Sequence, residues 1–118
     1  MFLQLAHTKL NVYDKTRKFT LESYKLTKLF PADEKFAMVQ QIRRAALSAH
    51  LNLAEGASRK SLNERKRYFE VARGSVIEVD AAIEIAFELG YITMNELEVL
   101  GKAIVDSFKL LTGLIDKE

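Results

Sequence analysis

The amino-acid sequence predicts an all-α protein, an antiparallel up-down four-helix bundle, and three observations carry that expectation. Apolar residues recur at spacings of three and four along most of the chain. One proline and five glycines are its few breakers, placed for the most part where such stripes end. No strand pair or internal repeat can be traced, and long helices joined by short turns must run antiparallel to their neighbours. A chain of 118 residues, 48% hydrophobic and 29% charged, can bury one core, so a single domain is expected over residues 1–118.

Each element has its own signal. Residues 10–29 form the first helix, with Val12, Phe19 and Leu26 in an imperfectly spaced stripe. It closes at Phe30-Pro31, because proline biases the residue before it away from helix. The second helix begins near Asp33 and carries Phe36, Val39, Ile42, Ala46, Ala49 and Leu53. Its end is assigned to Gly56, suited to the left-handed position after a helix, and "GASRK" makes the turn. Ser61 followed by Glu64 is a capping-box pattern; behind it Phe69, Ala72, Val76, Val79, Ile83 and Ala86 form a third stripe, ending at Gly90. Thr93 and Glu96 repeat the capping signal ahead of Leu97, Leu100, Ile104, Phe108, Leu111 and Ile115. Gly74-Ser75 falls in the middle of the third helix. A helix-interior glycine costs about 1 kcal/mol relative to alanine, so close approach of another backbone is expected there.

Composition excludes several classes of function. With no cysteine there is no disulfide scaffold, thiolate nucleophile or cysteine-built metal site, which fits a cytoplasmic protein. The start "MFLQLAHTKL" has no basic residue ahead of its short apolar run, and no window approaches the ~18 apolar residues of a membrane span, so a soluble protein without a leader is expected. No glycine-rich phosphate loop or E-x-x-H pair occurs, and no cofactor or metal is called for. The formal net charge of +2 conceals an uneven distribution. Residues 1–30 carry six Lys/Arg against two acids, residues 31–73 nine against five, and residues 74–101 none against six.

A helical wheel at 100° per residue sets Ile42, Ala46, Ala49 and Leu53 on one side of the second helix. Gln41, Arg44, Ser48, Asn52 and Glu55 line up opposite. Leu47 and Leu51 lie beside that polar row, where a lone helix would carry charge; a second neighbour is implied, either another helix or another subunit. The polar residues then fit a hydrogen-bonded structural network made of Arg43, Arg44, Ser48, Asn52, Glu55, Ser75 and Glu78, a solvated face, or a ligand site. Glu78 would reach Arg43 or Arg44 if the second and third helices pair about the turn.

The stretch "FPADEKFAMVQQIRRAALSAHLNLAEGASRKSLNERKRYFEVARGSVIEVD" resembles the four-helix-bundle proteins encoded by intervening sequences in bacterial 23S ribosomal RNA genes, often called S23 ribosomal proteins. The matching elements include Pro31 before a helix, Gln41-Ile42-Arg43-Arg44-Ala45, Ser48, Asn52-Leu53-Ala54-Glu55-Gly56, Arg59, Ser61, Phe69, Ala72-Arg73-Gly74-Ser75 and Glu78. The family is also similar to accessory proteins of diversity-generating retroelements, pentameric barrels that bind nucleic acid and a reverse transcriptase. The resemblance therefore implies a homopentamer, with RNA or a nucleic-acid-processing protein as partner, and together with the apolar flank of the second helix it sets Leu47 and Leu51 at the subunit contact. Where relatives commonly have a helix-bending proline, this chain has His50.

Arg59, Lys60, Arg65, Lys66, Arg67 and Arg73 cluster in the turn and the start of the third helix, with Tyr68 among them and Glu64 and Glu70 in opposition. A charge run is ordinarily a solvated face, but repeated around a ring it would form a concentrated basic surface able to hold phosphate. No single-strand recognition motif accompanies it, so contact would be to backbone and shape. Two other classes stand beside a nucleic-acid module: a scaffolding oligomer that binds a protein, and a ribonuclease like the helical HEPN enzymes, using Arg43 and His50. Seven helical residues separate those two by about 10 Å along the axis, which favours a packing role for His50 and no enzyme.

Overall fold

The first helix hides a polar core face, which explains its irregular stripe. In the computed structural model, which describes residues 1–117, helix α1 (Asn11–Thr27) buries Val12, Thr16, Phe19, Thr20, Ser23, Leu26 and Thr27. The three- and four-residue spacing is complete once the hydroxyl residues are counted. Thr20, Ser23 and Thr27 donate to the carbonyls of Thr16, Phe19 and Ser23, four residues back, at 2.9, 2.8 and 2.9 Å. These bonds satisfy the hydroxyls inside the core at little cost. Thr20 Oγ1 also reaches the carbonyl of Ala46 at 3.0 Å, a close approach made possible by the small buried Ala45, Ala46 and Ala49 of the second helix.

That helix, α2 (Met38–Ala57), starts later than its stripe suggested. Pro31 is followed by a 3₁₀ turn over Ala32–Glu34, and at Ala37 the backbone (φ −122°, ψ −98°) leaves helical geometry. Phe36 therefore falls outside the stripe and is 82% exposed, with the Lys35 ammonium 5.4 Å from its ring centre. Helix α2 then runs without interruption through His50. Helix α3 (Leu62–Glu88) begins at Ser61, whose hydroxyl accepts from Glu64 N at 3.4 Å. Helix α4 (Met94–Lys117) begins with a reciprocal box: Thr93 N donates to Glu96 Oε1 at 2.9 Å and Glu96 N to Thr93 Oγ1 at 3.2 Å.

Each helix packs on two others, α1 on α2 and α4, α3 on α2 and α4, closing a square antiparallel bundle. It measures 44 × 29 × 23 Å. Phe19, Ile42, Leu53, Phe69, Val76, Val79, Leu100 and Leu111 form its solvent-free centre. Phe108, expected in the α4 stripe, lies at the edge and is half-exposed. At one end Tyr91 donates to Glu34 Oε2 at 2.7 Å and packs on Phe30, tying the 3₁₀ turn to the α3–α4 connection. Among the described residues no helix is long and apolar enough to cross a membrane.

Two glycines do not play the roles expected of them. Gly56 lies inside α2, buried, where an added Cβ would stand 2.6 Å from Tyr68 Cβ and 3.0 Å from Phe69 Cε1. It is the point where α2 and α3 close on each other. Gly74 is exposed, and an added Cβ there would meet nothing within 4 Å, so no backbone of its own subunit approaches it. The left-handed position belongs to Gly90 (φ 81°), where the amides of Gly90 and Tyr91 return to Phe87 and Ala86 carbonyls and end α3.

Candidate nucleic-acid interface

The short connection between α2 and α3 gathers the basic residues at one end of the bundle. Arg59 anchors the group. Its guanidinium lies 5.0 Å over the Tyr68 ring, and Nη2 donates to Glu55 Oε1 at 2.9 Å and to the Tyr68 hydroxyl at 3.0 Å. Tyr68 and Glu55 thus hold the cation across the turn, in a stacking geometry that suits guanidinium better than ammonium. Lys60, in the connection, is exposed, as is Arg67, and Arg65 and Lys66 are half-buried; these last three lie on the first turns of α3. Arg67 borders a cavity of about 360 Å³ with Asn52, Glu64, Tyr68 and Val71.

Arg73 is set apart from this cluster. It turns toward α4, where Nη1 donates to Thr112 Oγ1 at 3.1 Å and the guanidinium stands 5.8 Å from the Phe108 ring centre. The sequence placed it with the others by proximity along the chain, but two turns of helix and a tether to α4 separate it. Its bond to Thr112 has no signature in the sequence.

The polar network expected along α2 divides into separate groups, because α2 meets α1 on one side and α3 on the other. Facing α3, Asn52 Nδ2 donates to the Ser48 carbonyl at 2.9 Å and to Ser48 Oγ at 3.0 Å, and Ser75 Oγ donates to Ser48 Oγ at 3.2 Å. Glu78 is bound by Gln41 rather than by Arg43 or Arg44. Facing α1, Arg43 donates from Nε to Thr27 Oγ1 at 2.9 Å and from Nη2 to the Tyr24 carbonyl at 3.2 Å, with its guanidinium 5.0 Å from the Tyr24 ring centre. Arg44 is exposed, on the same outward side as Leu47 and Leu51, which are 39% and 53% exposed. Glu55 belongs with Arg59.

His50 also faces α1. Its Nδ1 shares a 2.8 Å hydrogen bond with Thr16 Oγ1, and its ring lies 4.5 Å from that of Tyr13, which in turn contacts His7. Burial, with the positive charge of Arg17 and then of His7 nearby, holds the imidazole below its ordinary pKa of 6.5. As pH falls through 6.5 the unfolded chain takes up a proton that the folded chain resists, so stability is present above that pH and lost below it. Melting temperatures of the parent and of His50→Gln, measured from pH 7.5 to pH 5, should show the steeper acid loss in the parent. Parallel curves would exclude His50 as its source.

Comparison with known proteins bears on the fold. The model of the 23S rRNA-intervening sequence protein family matches residues 8–113. The chain belongs to that family. The match takes in all of α1, α2 and α3 and most of α4, and so includes the basic turn and the Ser48 group. No curated protein matches the chain. A similar fold is seen in a 1.70 Å crystal structure of a Bacteroides thetaiotaomicron VPI-5482 protein of unknown function from the S23 ribosomal protein family. The two are 26% identical, with a TM-score of 0.81, over 88% of this chain and 97% of that one.

Proposed function

We propose that the chain is a non-enzymatic nucleic-acid-binding module that works as a homo-oligomer, a pentamer by the family resemblance, and grips phosphate backbone at the α2–α3 end. The observation that carries this reading is the concentration of Arg59, Lys60, Arg65, Lys66 and Arg67 at one end of α3, with Glu84 and Glu88 near the other. Each subunit is a dipole, and a ring would repeat its positive end around one rim. Oligomerisation is favoured by the outward Leu47 and Leu51 and by the nearby exposed Val71. Gly74 adds surface on which a helix of another copy could come close. In favour of a non-enzymatic role, His50 and Arg43 are both engaged in holding α1 to α2.

Phosphate contacts make affinity fall steeply with salt, with a log–log slope of about −0.7 per phosphate neutralised on a single strand. Fluorescence anisotropy with labelled single-stranded RNA between 50 and 300 mM salt should show that steep loss and little dependence on sequence. Lys60→Glu with Arg67→Glu should weaken binding and flatten the slope by about 1.4 without unfolding the chain. Glu84→Gln with Glu88→Gln should leave it unchanged. Undetectable binding at 50 mM salt, or equal affinity in the Lys60/Arg67 variant, would leave the scaffold reading in its place.

A further inference from the structure

The opposite end of the bundle has a surface of different chemistry. Between α3 and α4 lies an apolar cavity of about 560 Å³ floored by Ile83, Phe87, Met94, Leu97 and Ile104. A second, of about 340 Å³, shares Asp80 and Ile104 with it and continues the seam past Ile77, Val105 and Phe108. From Ile77 to Glu88 the groove follows α3 for about 16 Å, three helical turns. Gly101 lies in its α4 wall, half-exposed, and the missing side chain leaves the groove open there. Met94 and Ile77 are 65% and 52% exposed, a large apolar exposure for residues gathered on one seam.

The rim of this groove is acidic. Asp80, Glu84 and Glu88 project from α3 and Glu98 from α4, and none forms an ion pair among the described residues. Lys102, the base at this end, donates to Asp106 Oδ2 at 2.9 Å and has its charge answered there. Lys109 borders only the second cavity. An apolar floor between unneutralised carboxylates repels nucleic acid and selects an occupant that is apolar on one face and cationic at its flanks.

We propose that the α3–α4 groove is the docking site for a basic amphipathic helix of a partner protein, about three to four turns long, with apolar residues at i, i+3 or i+4, and i+7. A third helix laid along the seam of two packed helices seats its apolar ridge between them. Its Lys or Arg residues then face Asp80, Glu84, Glu88 and Glu98. This assignment stands apart from the nucleic-acid reading, since it uses the other end of the molecule.

The probe is a synthetic helical peptide of about 18 residues with leucines on one stripe and lysines elsewhere. Two controls accompany it, one with glutamate in place of lysine and one with the same Leu/Lys composition but no stripe. Gly101→Leu should fill the groove without disturbing the helix, because a Cβ at Gly101 meets nothing within 4 Å. Glu84→Gln with Glu88→Gln removes rim charge from exposed positions. The striped basic peptide should bind, the acidic one should not, and the unstriped one should bind at least tenfold more weakly. Each variant should lose at least tenfold in affinity, whereas Lys60→Glu with Arg67→Glu should lose none. Absence of binding at about 100 µM, or equal affinity in Gly101→Leu, would overturn the assignment. So would an oligomer of the parent that Gly101→Leu converts to monomer, since a second copy would then be the occupant.

Discussion

Replacing Gly56 by alanine is expected to destabilise the bundle by about 2 kcal/mol, the cost of forcing a methyl group into a filled site. The new Cβ would stand 2.6 Å from Tyr68 Cβ and 3.0 Å from the Phe69 ring, against the 3.5–4.0 Å at which carbon atoms attract. Tyr68 Cβ is fixed to its backbone and cannot swing aside, so α2 and α3 must part where their connecting turn holds them closest. The gain in helix propensity, about 1 kcal/mol, offsets only part of this. Gly101→Ala supplies the control, because its Cβ enters open space and only the propensity gain remains. Urea midpoints should therefore move in opposite directions for the two substitutions; a Gly56→Ala protein as stable as the parent would show that the helices do not close as described.

The second large effect concerns assembly. Leu51→Glu, or Leu47→Glu, should convert the proposed oligomer to monomer while circular dichroism and melting of the subunit change little. Both side chains point away from the subunit's own core, so a charge there costs the isolated chain little. At an apolar contact between subunits it would cost about 2 kcal/mol or more, and a closed ring repeats the loss at every interface. Sedimentation of the parent at micromolar concentration should give about five times the monomer mass. A monomeric parent, or an intact oligomer in both variants, would remove these leucines from any subunit contact.

How much was legible in the sequence depended on the kind of residue that carried each feature. Helices α2, α3 and α4 announced themselves because Ile42, Leu53, Phe69, Val76, Val79, Leu100 and Leu111 are apolar and recur with the helical period. The core face of α1 did not, because Thr16, Thr20, Ser23 and Thr27 occupy half of it and look like surface to a hydrophobicity count. Their spacing of four, three and four was the available signal. Ser107 is a further buried hydroxyl, with no hydrogen-bond partner among the described residues, and nothing in the sequence separates it from an exposed serine. A glycine in a stripe tells of a cost but not of which neighbour accounts for it, so Gly56 and Gly74 were assigned in the wrong sense. The basic end was legible as charge, yet the partners within it were not. Whether Glu78 meets Gln41 or an arginine depends on the rotation of two helices about their axes, which the apolar stripes define only to within a side chain.

The hydroxyl-lined face of α1 also bears on how the molecule opens. Thr20, Ser23 and Thr27 bond to carbonyls of their own helix, so those bonds travel with α1 if it lifts away. Its buried apolar residues are Val12, Phe19 and Leu26, fewer than α2, α3 or α4 each bury. Lifting α1 breaks the bonds that tie Thr16, Thr20, Tyr24 and Thr27 to α2 but uncovers fewer buried apolar residues than any other helix would, so hydrogen exchange should admit deuterium to its amides before those of α2 and α3. Uniform protection across all four helices would contradict this. On that expectation the α2–α3 hairpin, clasped at Gly56 and by the Arg59–Tyr68 stack, outlasts α1, and the basic end keeps its shape once His50 is uncovered.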